Sequence, residues 1–282
     1  MLIFSDIERP ATAIYKVDAH SDIINTLDAI GGNSTFCGAK EIVTGSRDGS
    51  VKVWDPRVID PVANISAKTA EGSMDIRDCW AVGFGDSFNN SERAVCSGYD
   101  NGDVKLFDLR NMSLRWETTC KNGICSVEFD RKDIQMNTLA VTTLEGGLYV
   151  YDMRTEHPTK GFSFCSERNA GKSLGTNGVV SGAKSTVWTV KHLPQNRDVF
   201  VTGGGSGSIR IWNYKYPDKR FKEMSDGTKA GVAGNLQMLS ATTLSQQPVH
   251  CIDWCPERLG LSVCGALDQT IRVLITTNLN LY

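Results

Sequence analysis

One short segment recurs five times along the chain, and every copy has the same layout. It opens with a turn dipeptide, continues with alternating apolar and polar residues, and ends at an aromatic or apolar anchor. The anchors are Trp54, Phe107, Tyr151, Trp212 and Leu274. A tight turn that leads into an alternating run predicts a β-hairpin with a half-buried strand. Recurrence at intervals of roughly 45 to 60 residues predicts an array of similar β-modules.

Further strand-like runs flank each anchor segment. In the second copy, the apolar runs 79–84 and 93–98 precede the anchor, and the run 113–117 follows it. Equivalent runs accompany the other anchors, and none of them has a helical period. Four short strands in each repeat are typical of a β-propeller blade. The sequence therefore predicts an all-β propeller.

The segment 42–55, Ile-Val-Thr-Gly-Ser-Arg-Asp-Gly-Ser-Val-Lys-Val-Trp-Asp, resembles a WD40 repeat. In that family a His, a strand hydroxyl, a turn Asp and a Trp form a buried hydrogen-bonded tetrad. The resemblance implies a tetrad of His20, Ser46, Asp48 and Trp54, with Thr44 as the alternative hydroxyl on the same strand face. Its role would be structural, because a buried carboxylate and imidazole are stable when each has a partner. Only the first repeat keeps the full set.

Alignment on the anchors divides the chain, taken as one propeller domain over 1–282, into five full blades and the remnant of a sixth. The remnant covers 1–18, the blades cover 19–75, 76–118, 119–165, 184–245 and 246–282, and an insertion covers 166–183. The insertion is rich in Ser, Gly and Asn and has no apolar period. We therefore expect it to be a flexible surface loop.

A more specific resemblance rests on phrases outside the WD pattern. These are 77–84 (Arg-Asp-Cys-Trp-Ala-Val-Gly-Phe), 99–111, 128–133, 157–162 and 192–197. They resemble the Monad family of WD-repeat proteins, which are axonemal dynein assembly factors, from about residue 19 to the C-terminus. That family has seven blades, whereas residues 1–5 resemble only the third strand of a preceding blade. We therefore expect the N-terminal blades to be missing and the ring to be open or incompletely closed, since closure is how propellers avoid exposed strand edges.

The family resemblance implies a non-enzymatic scaffold in the cytoplasm. It would act as a co-chaperone that links RuvB-like ATPase and prefoldin-like chaperone complexes to dynein heavy chains. The residues agree with an absence of catalysis, cofactor and metal, because the four histidines lie in different repeats and the nine cysteines include no C-x-x-C pair. A net charge of −2 argues against nucleic acid as a partner, and no run of about 18 apolar residues predicts a membrane span. No feature indicates a small-molecule substrate.

A protein-binding surface is predicted at the start of the innermost strands. In WD propellers this position opens on the top face near the central channel, as does the residue before the turn Asp or Asn. The resemblance places Arg47, Trp80, Asp100, Trp188 and His250 there. Trp and Arg are the residue types that dominate binding hot spots. The alternative is that the two tryptophans simply pack between blades.

An aromatic-Asp-x-Arg motif recurs in the first three blades and ends at Arg57, Arg110 and Arg154. It resembles the motif through which WD-repeat substrate receptors engage the adaptor of cullin-type ubiquitin ligases. An Arg fork suits carboxylates or carbonyls across such an interface, so a ligase substrate receptor is the alternative function. In the opposing interpretation each Arg pairs with the Asp of its own blade and braces the turn. Three copies favour bracing, because every blade would need it.

Overall fold

A computed structural model describes residues 1–30, 40–65, 77–88, 92–174, 180–225 and 227–282. Within these ranges the chain forms β-strands and a single short 3-10 helix, Leu279–Leu281. The chain separates into two compact units. The first contains Met1–Thr119 and Lys132–Gln135, and the second contains Cys120–Arg131 and Met136–Tyr282.

The first unit contains a hairpin and two four-stranded antiparallel sheets. The hairpin pairs β1 (Leu2–Ser5) with β2 (Ala13–Val17). The strands of the first sheet are β3 (Ile24–Ile30), β4 (Glu41–Ser46), β5 (Val51–Trp54) and β6 (Ala63–Ile65). The strands of the second sheet are β7 (Cys79–Gly85), β8 (Ala94–Tyr99), β9 (Asp103–Asp108) and β10 (Ser113–Thr119). In each sheet every strand pairs with its neighbour in the sequence.

The second unit contains three larger sheets and two short hairpins. The strands of its first sheet are β11 (Ile124–Phe129), β12 (Thr138–Thr143), β13 (Leu148–His157) and β14 (Gly161–Glu167). A hairpin of β15 (Lys172–Leu174) and β16 (Val180–Lys184) follows. The next sheet is built from β17 (Val187–Leu193), β18 (Asn196–Gly204), β19 (Ser208–Lys215) and β22 (Asn235–Thr243), with the hairpin β20 (Phe221–Glu223) and β21 (Lys229–Gly231) inserted before its last strand. The final sheet has the three strands β23 (Val249–Trp254), β24 (Leu261–Ala266) and β25 (Thr270–Ile275).

These sheets confirm the predicted all-β architecture of five propeller blades. Each predicted strand lies where the sequence places it, within a few residues. Strand β9 shows how the alternation of apolar and polar residues leads to this agreement. The apolar side chains of Val104 and Leu106 are fully buried, whereas the polar residues Asp103 and Lys105 are partly exposed. Side chains of successive strand residues point to opposite faces, so this pattern fixes which face of the strand is buried.

The turn before each anchor strand keeps one backbone conformation in all five repeats. Its second residue has a positive φ in every copy: 78° at Gly49, 95° at Gly102, 74° at Gly146, 71° at Gly207 and 65° at Gln269. The left-handed region favours glycine, which supplies four of the five. The fifth repeat has Gln269 in place of the glycine and still adopts a positive φ at this position.

Apolar side chains from neighbouring strands form the cores of the two units. In the first unit Val43, Val53, Phe84 and Val95 are all at most 1% exposed and belong to one cluster. In the second unit one cluster includes Leu148, Phe200 and Trp212, and another includes Leu193, Val199 and Ile252.

The insertion at 166–183 contains regular structure in its described residues, which include the end of β14 and the pairing of β15 with β16. Residues 175–179 lie outside the described ranges, and the flexibility of the insertion stays a prediction. The segment is ordered by hydrogen bonds to backbone oxygens: the Ser185 hydroxyl donates to Gly171 O over 2.5 Å, and the Arg210 guanidinium donates to Asn169 O and Lys172 O. Apolar periodicity carries no information about such contacts.

Candidate protein-interaction site

A chain of polar contacts links the predicted tetrad residues of the first blade. Trp54 Nε1 donates to Thr44 Oγ1 over 2.8 Å, and Thr44 Oγ1 lies 2.7 Å from His20 Nε2. The other ring nitrogen, His20 Nδ1, lies 3.2 Å from Asp48 Oδ2 and 2.9 Å from Ser50 Oγ. A neutral imidazole with its proton on Nδ1 satisfies every group, because Nε2 then accepts from the Thr44 hydroxyl and Nδ1 donates to Asp48.

The hydroxyl between His20 and Trp54 belongs to Thr44 and not to Ser46. Both residues lie on the same face of β4, so the sequence left the two alternatives open. Ser46 stands at the end of the strand, where its Oγ accepts from the Asp48 backbone N–H over 3.1 Å. This contact braces the turn, and the tetrad assignment of Ser46 is therefore corrected to Thr44.

Burial and partners shift the acid–base properties of the tetrad. Burial lowers the pKa of His20, with a smaller effect of Lys52 in the same direction, and outweighs the opposing attraction of Asp48. The pKa of Asp48 lies well below its usual range. Hydrogen bonds from the Ser50 hydroxyl, the Ser50 backbone and the Ser21 backbone outweigh its burial, which acts in the raising direction. The pair is thus held as a neutral imidazole beside a carboxylate, which suits a structural role.

The later blades keep parts of this arrangement. In the fourth blade Trp212 Nε1 donates to Thr202 Oγ1 over 2.9 Å, and both residues are buried. In the last blade the turn carboxylate of Asp268 accepts from Ser245, Thr270 and Arg272. An Arg and a second hydroxyl there take the place of the imidazole contact made in the first blade.

Each aromatic-Asp-x-Arg motif forms an ion pair within its own blade. The Nε and Nη2 atoms of Arg57 donate to the two carboxylate oxygens of Asp55 over 2.9 and 2.6 Å. The same two-point contact joins Arg110 to Asp108 and Arg154 to Asp152. In all three copies the Arg backbone N–H also donates to the same carboxylate. This geometry is the one expected of an arginine that braces its turn.

Two of the three predicted face residues of the first unit, Arg47 and Asp100, contact Asp78, a residue that the sequence did not single out. The exposed guanidinium of Arg47 lies 3.8 Å from an Asp78 carboxylate oxygen, and the backbone N–H of Asp100 donates to Asp78 O over 3.0 Å. Trp80 is half-buried in β7, and Asp78 directly precedes this strand. The position of Asp78 two residues before the predicted face residue Trp80 is the sequence signal that could have pointed to it.

The two predicted face residues of the second unit are in contact. The rings of Trp188 and His250 lie 5.5 Å apart between centroids and are tilted by 34°. Trp188 is half-buried and His250 is exposed. A large aromatic ring that is partly open to solvent and backed by a second ring is a suitable anchor for a protein partner.

Among the described residues, no group of three or more His, Cys, Asp or Glu side chains is placed to hold a metal ion. In the same part of the chain, no helix has the length and apolar character needed to cross a membrane.

Comparison with known proteins gives the class first. The family model for "WD domain, G-beta repeat" matches residues 11–55 and 173–213. The structure is similar to the β-propeller domain of Myceliophteria thermophila Cps50 (Swd1), with a TM-score of 0.61, 13% identity and coverage of 90% of this chain and 70% of that one. It is also similar to the computationally designed protein Ika8, with a TM-score of 0.57, 18% identity and coverage of 94% and 62%. The chain is a WD40-repeat β-propeller protein.

Curated relatives narrow the class to one family. The chain is 55% identical over 276 residues to dynein axonemal assembly factor 10 of Xenopus laevis and to that of Homo sapiens. It is 46% identical over 275 residues to the Chlamydomonas reinhardtii protein of the same name. Each alignment covers 98% of this chain and 73% of the relative. The chain belongs to the dynein axonemal assembly factor 10 family.

Proposed function

We propose that this chain is a non-enzymatic scaffold that assists the assembly of axonemal dynein. The observation that carries the proposal is 55% identity over 98% of the chain to relatives named dynein axonemal assembly factor 10. The sequence phrases that resemble the Monad family support the same function. Antiparallel blades with exposed loops and turns suit a scaffold, because they present several rigid surfaces and no reaction centre has to be built.

We further propose that the partners are RuvB-like ATPase and prefoldin-like chaperone complexes on one side and dynein heavy chains on the other. The chain would act in the cytoplasm as a co-chaperone. A rigid protein that holds two partners together raises the effective concentration of each for the other, and this alone can increase overall avidity by several orders of magnitude.

The contacts proposed for these partners are the predicted face residues of each unit. In the second unit Trp188, supported by His250, would enter a pocket of the partner as an aromatic anchor. In the first unit Arg47 is exposed beside Asp78, and it is joined by Trp80 and Asp100. Since Arg47 is only loosely held at 3.8 Å, its guanidinium is available to a partner carboxylate.

An affinity purification from cytosolic extract of ciliated cells, read by mass spectrometry, tests this proposal. The tagged chain is compared with a Trp188→Ala/His250→Ala variant and with Phe221→Ala as the matched control. Phe221 is an exposed aromatic residue on the separate hairpin of β20 and β21. We expect chaperone subunits and dynein chains with the wild type and the control, and their loss with the double variant. Circular dichroism checks that all three proteins are folded.

Failure of the wild type to recover either class of partner would contradict the assembly function. A second variant, Arg57→Ala/Arg110→Ala/Arg154→Ala, tests the alternative of a ubiquitin-ligase substrate receptor. Recovery of a cullin adaptor by the wild type and its loss in a folded triple variant would favour the ligase function. Unchanged recovery of chaperones and dynein chains by the triple variant would support the interpretation that each of these arginines braces the turn of its own blade.

A further inference from the structure

A cavity of about 230 Å³ opens beside the turn between β12 and β13 in the second unit. The residues that line it come from four separate segments of the chain. They are Lys121, Thr143, Glu145, Gly147, Tyr149, Arg168 and Lys184. None of them belongs to the tetrad, to the aromatic-Asp-x-Arg motifs or to the predicted face.

Backbone contacts hold the floor of this cavity in place. Thr143 N donates to Gly147 O and Gly147 N donates to Thr143 Oγ1, so the turn is tied at both ends. Gly171 N donates to Gly146 O, which fixes the inserted segment against the turn. A Cβ at Gly171 would lie 1.8 Å from Ser185 O, so no other residue allows this approach. The cavity is therefore preformed.

The walls carry an excess of positive charge. Lys121, Arg168 and Lys184 are exposed at the rim, and within the described part of the chain none of the three forms an ion pair. The one acidic lining residue, Glu145, accepts a hydrogen bond from the Asn122 side chain over 2.9 Å and is thereby directed to that amide. Three cations around one carboxylate leave a net charge of +2 at the cavity.

Tyr149 gives the cavity a fixed aromatic wall. Its ring packs against Phe164 at 6.1 Å between centroids and at 47° between planes. Burial raises the pKa of Tyr149, while the Arg168 charge and a hydrogen bond from the Lys121 backbone act in the opposite direction. Both opposing contacts come from residues that also line the cavity, and one of them is the charge of the Arg168 guanidinium.

We propose that this cavity binds an oxyanion group, either a side-chain phosphate or a cluster of carboxylates, on an acidic segment of a partner protein. A guanidinium and two ammonium groups that form no ion pair with any described residue match the charge of such a group, and the planar Arg fork matches its oxygens. The cations stand at an exposed rim, where a single ion pair contributes little. An anion presented on a polypeptide also gains contacts with the Tyr149 wall. The inference rests on the proposed scaffold function in that the ligand belongs to a protein.

Fluorescence polarisation with three labelled 12-residue peptides tests the inference. One peptide carries a phosphoserine among Asp and Glu residues, the second carries Glu in place of the phosphoserine, and the third has Ser, Asn and Gln at all acidic positions. The full 282-residue chain is titrated at low and at high salt. We expect both anionic peptides to bind more tightly than the neutral one, and to bind less tightly as salt rises.

The variant Lys121→Gln/Arg168→Gln/Lys184→Gln is expected to weaken anionic binding by roughly tenfold or more, since three charge contacts are lost together. The matched control is Lys215→Gln/Lys219→Gln/Arg220→Gln, which removes two Lys and one Arg from exposed positions elsewhere in the second unit. It should bind like the wild type. Circular dichroism confirms the folding of both variants.

Binding of the phosphopeptide alone would assign a phosphate site, whereas binding of both anionic peptides, or of the Glu peptide alone, would assign a general acidic segment. Equal affinity for the neutral peptide, equal weakening in both triple variants, or no binding of either anionic peptide would overturn the inference. The titration needs no chaperone or dynein subunit, so a negative result here leaves the affinity purification described above unaffected.

Discussion

Arg154 holds the carboxylate of Asp152 with two hydrogen bonds of 2.8 and 2.6 Å while its guanidinium carbon lies 4.1 Å from the centre of the Tyr216 ring. The side chain of Asp152 is completely buried. The equivalent arginines of the two preceding blades make the same pair, with no ring contact among the described residues, and are far more exposed: 73% at Arg57 and 50% at Arg110, against 19% at Arg154. One motif therefore serves three different environments.

The first prediction follows from this difference in the exposure of the three arginines. Arg154→Ala leaves a buried carboxylate without its charge partner, and we expect it to lower the free energy of unfolding by about 2 kcal/mol. Arg57→Ala and Arg110→Ala remove guanidinium groups that are largely exposed and screened by water, so the stability of these variants should stay close to that of the wild type. Urea unfolding followed by tryptophan fluorescence measures all three. Equal losses in the three variants would show that exposure does not set the contribution of the motif.

The second prediction concerns the hydroxyl of the tetrad. Thr44→Val keeps the shape of the side chain but leaves the Trp54 N–H and the His20 ring without their shared partner. We expect a loss of about 2 to 3 kcal/mol, because buried polar groups then remain unsatisfied. Ser46→Ala removes only the contact with the Asp48 N–H and should cost about 1 kcal/mol. A larger loss for Ser46→Ala would return the tetrad role to Ser46.

The third prediction is a dependence of stability on pH. Because burial holds the pKa of His20 below its ordinary 6.5, the unfolded chain takes up a proton at a higher pH than the folded chain does. The stabilisation is present above pH 6.5 and is lost as the pH falls, by at most about 1.4 kcal/mol per pH unit for one proton. The low pKa of Asp48 acts in the same direction, but only below its ordinary 3.8.

Unfolding curves between pH 7.5 and 5.5 for the wild type and for His20→Gln isolate the histidine, since all other groups are common to both proteins. The variant should be less stable at pH 7.5 and should lose less stability on acidification. Parallel pH profiles for the two proteins would refute the neutral imidazole.

The sequence predicts the strands well because their signal is local. Strand β8 is predicted at 93–98 and lies at Ala94–Tyr99, where all six residues are buried, because a short continuous run of apolar and small residues is typical of a strand covered on both faces. Which of Thr44 and Ser46 supplies the tetrad hydroxyl is not determined by the local sequence. It depends on the register in which Gly45 pairs with Val51 and Ile42 pairs with Trp54, and this register brings the indole to Thr44.

The basic cavity could not be found from the sequence for a related reason. Lys121, Arg168 and Lys184 lie in separate segments with no common spacing, and they meet only because the inserted residues fold back on the turn between β12 and β13. Composition and periodicity describe that insertion as a loop. The hydrogen bond from Gly171 N to Gly146 O, which anchors the insertion, involves only backbone atoms and has no sequence signature.

The fourth prediction is a stabilising substitution. Asp198 is half-buried, one of its carboxylate oxygens has no hydrogen-bond partner among the described residues, and burial raises its pKa. A raised pKa means that the charged form costs folding energy as the pH rises above the carboxyl's usual range, and Asp198→Asn removes this charge. We expect a gain of about 0.5 to 1 kcal/mol at pH 7.5, reduced because solvent screens half of the group, and no gain near pH 3.5.

Its matched control is the neighbouring carboxylate of Asp130, which accepts a 2.6 Å hydrogen bond from Arg197 and another from Asn137 N. Asp130→Asn should destabilise the protein by about 2 kcal/mol at pH 7.5, because a buried pair then loses one charge. Thermal unfolding of both variants shows directly whether each substitution stabilises or destabilises the protein. A destabilising Asp198→Asn would show that the carboxylate of Asp198, and not only its oxygen atoms, is needed.

The last prediction concerns the edge strand β25, which pairs with β24 on one side and with no described strand on the other. Its outward residues Ile271, Val273 and Ile275 are each more than 70% exposed. An exposed apolar edge offers unpaired N–H and C=O groups to another chain, and a lysine at its centre opposes such pairing. We therefore expect the wild type to self-associate at high protein concentration, as measured by light scattering, and Val273→Lys to reduce this association with little change in stability. Val58→Lys, a similar change at an exposed turn residue away from any strand edge, should not. Equal suppression by both variants would attribute the effect to net charge, whereas an effect of Val273→Lys alone would attribute it to pairing at this edge.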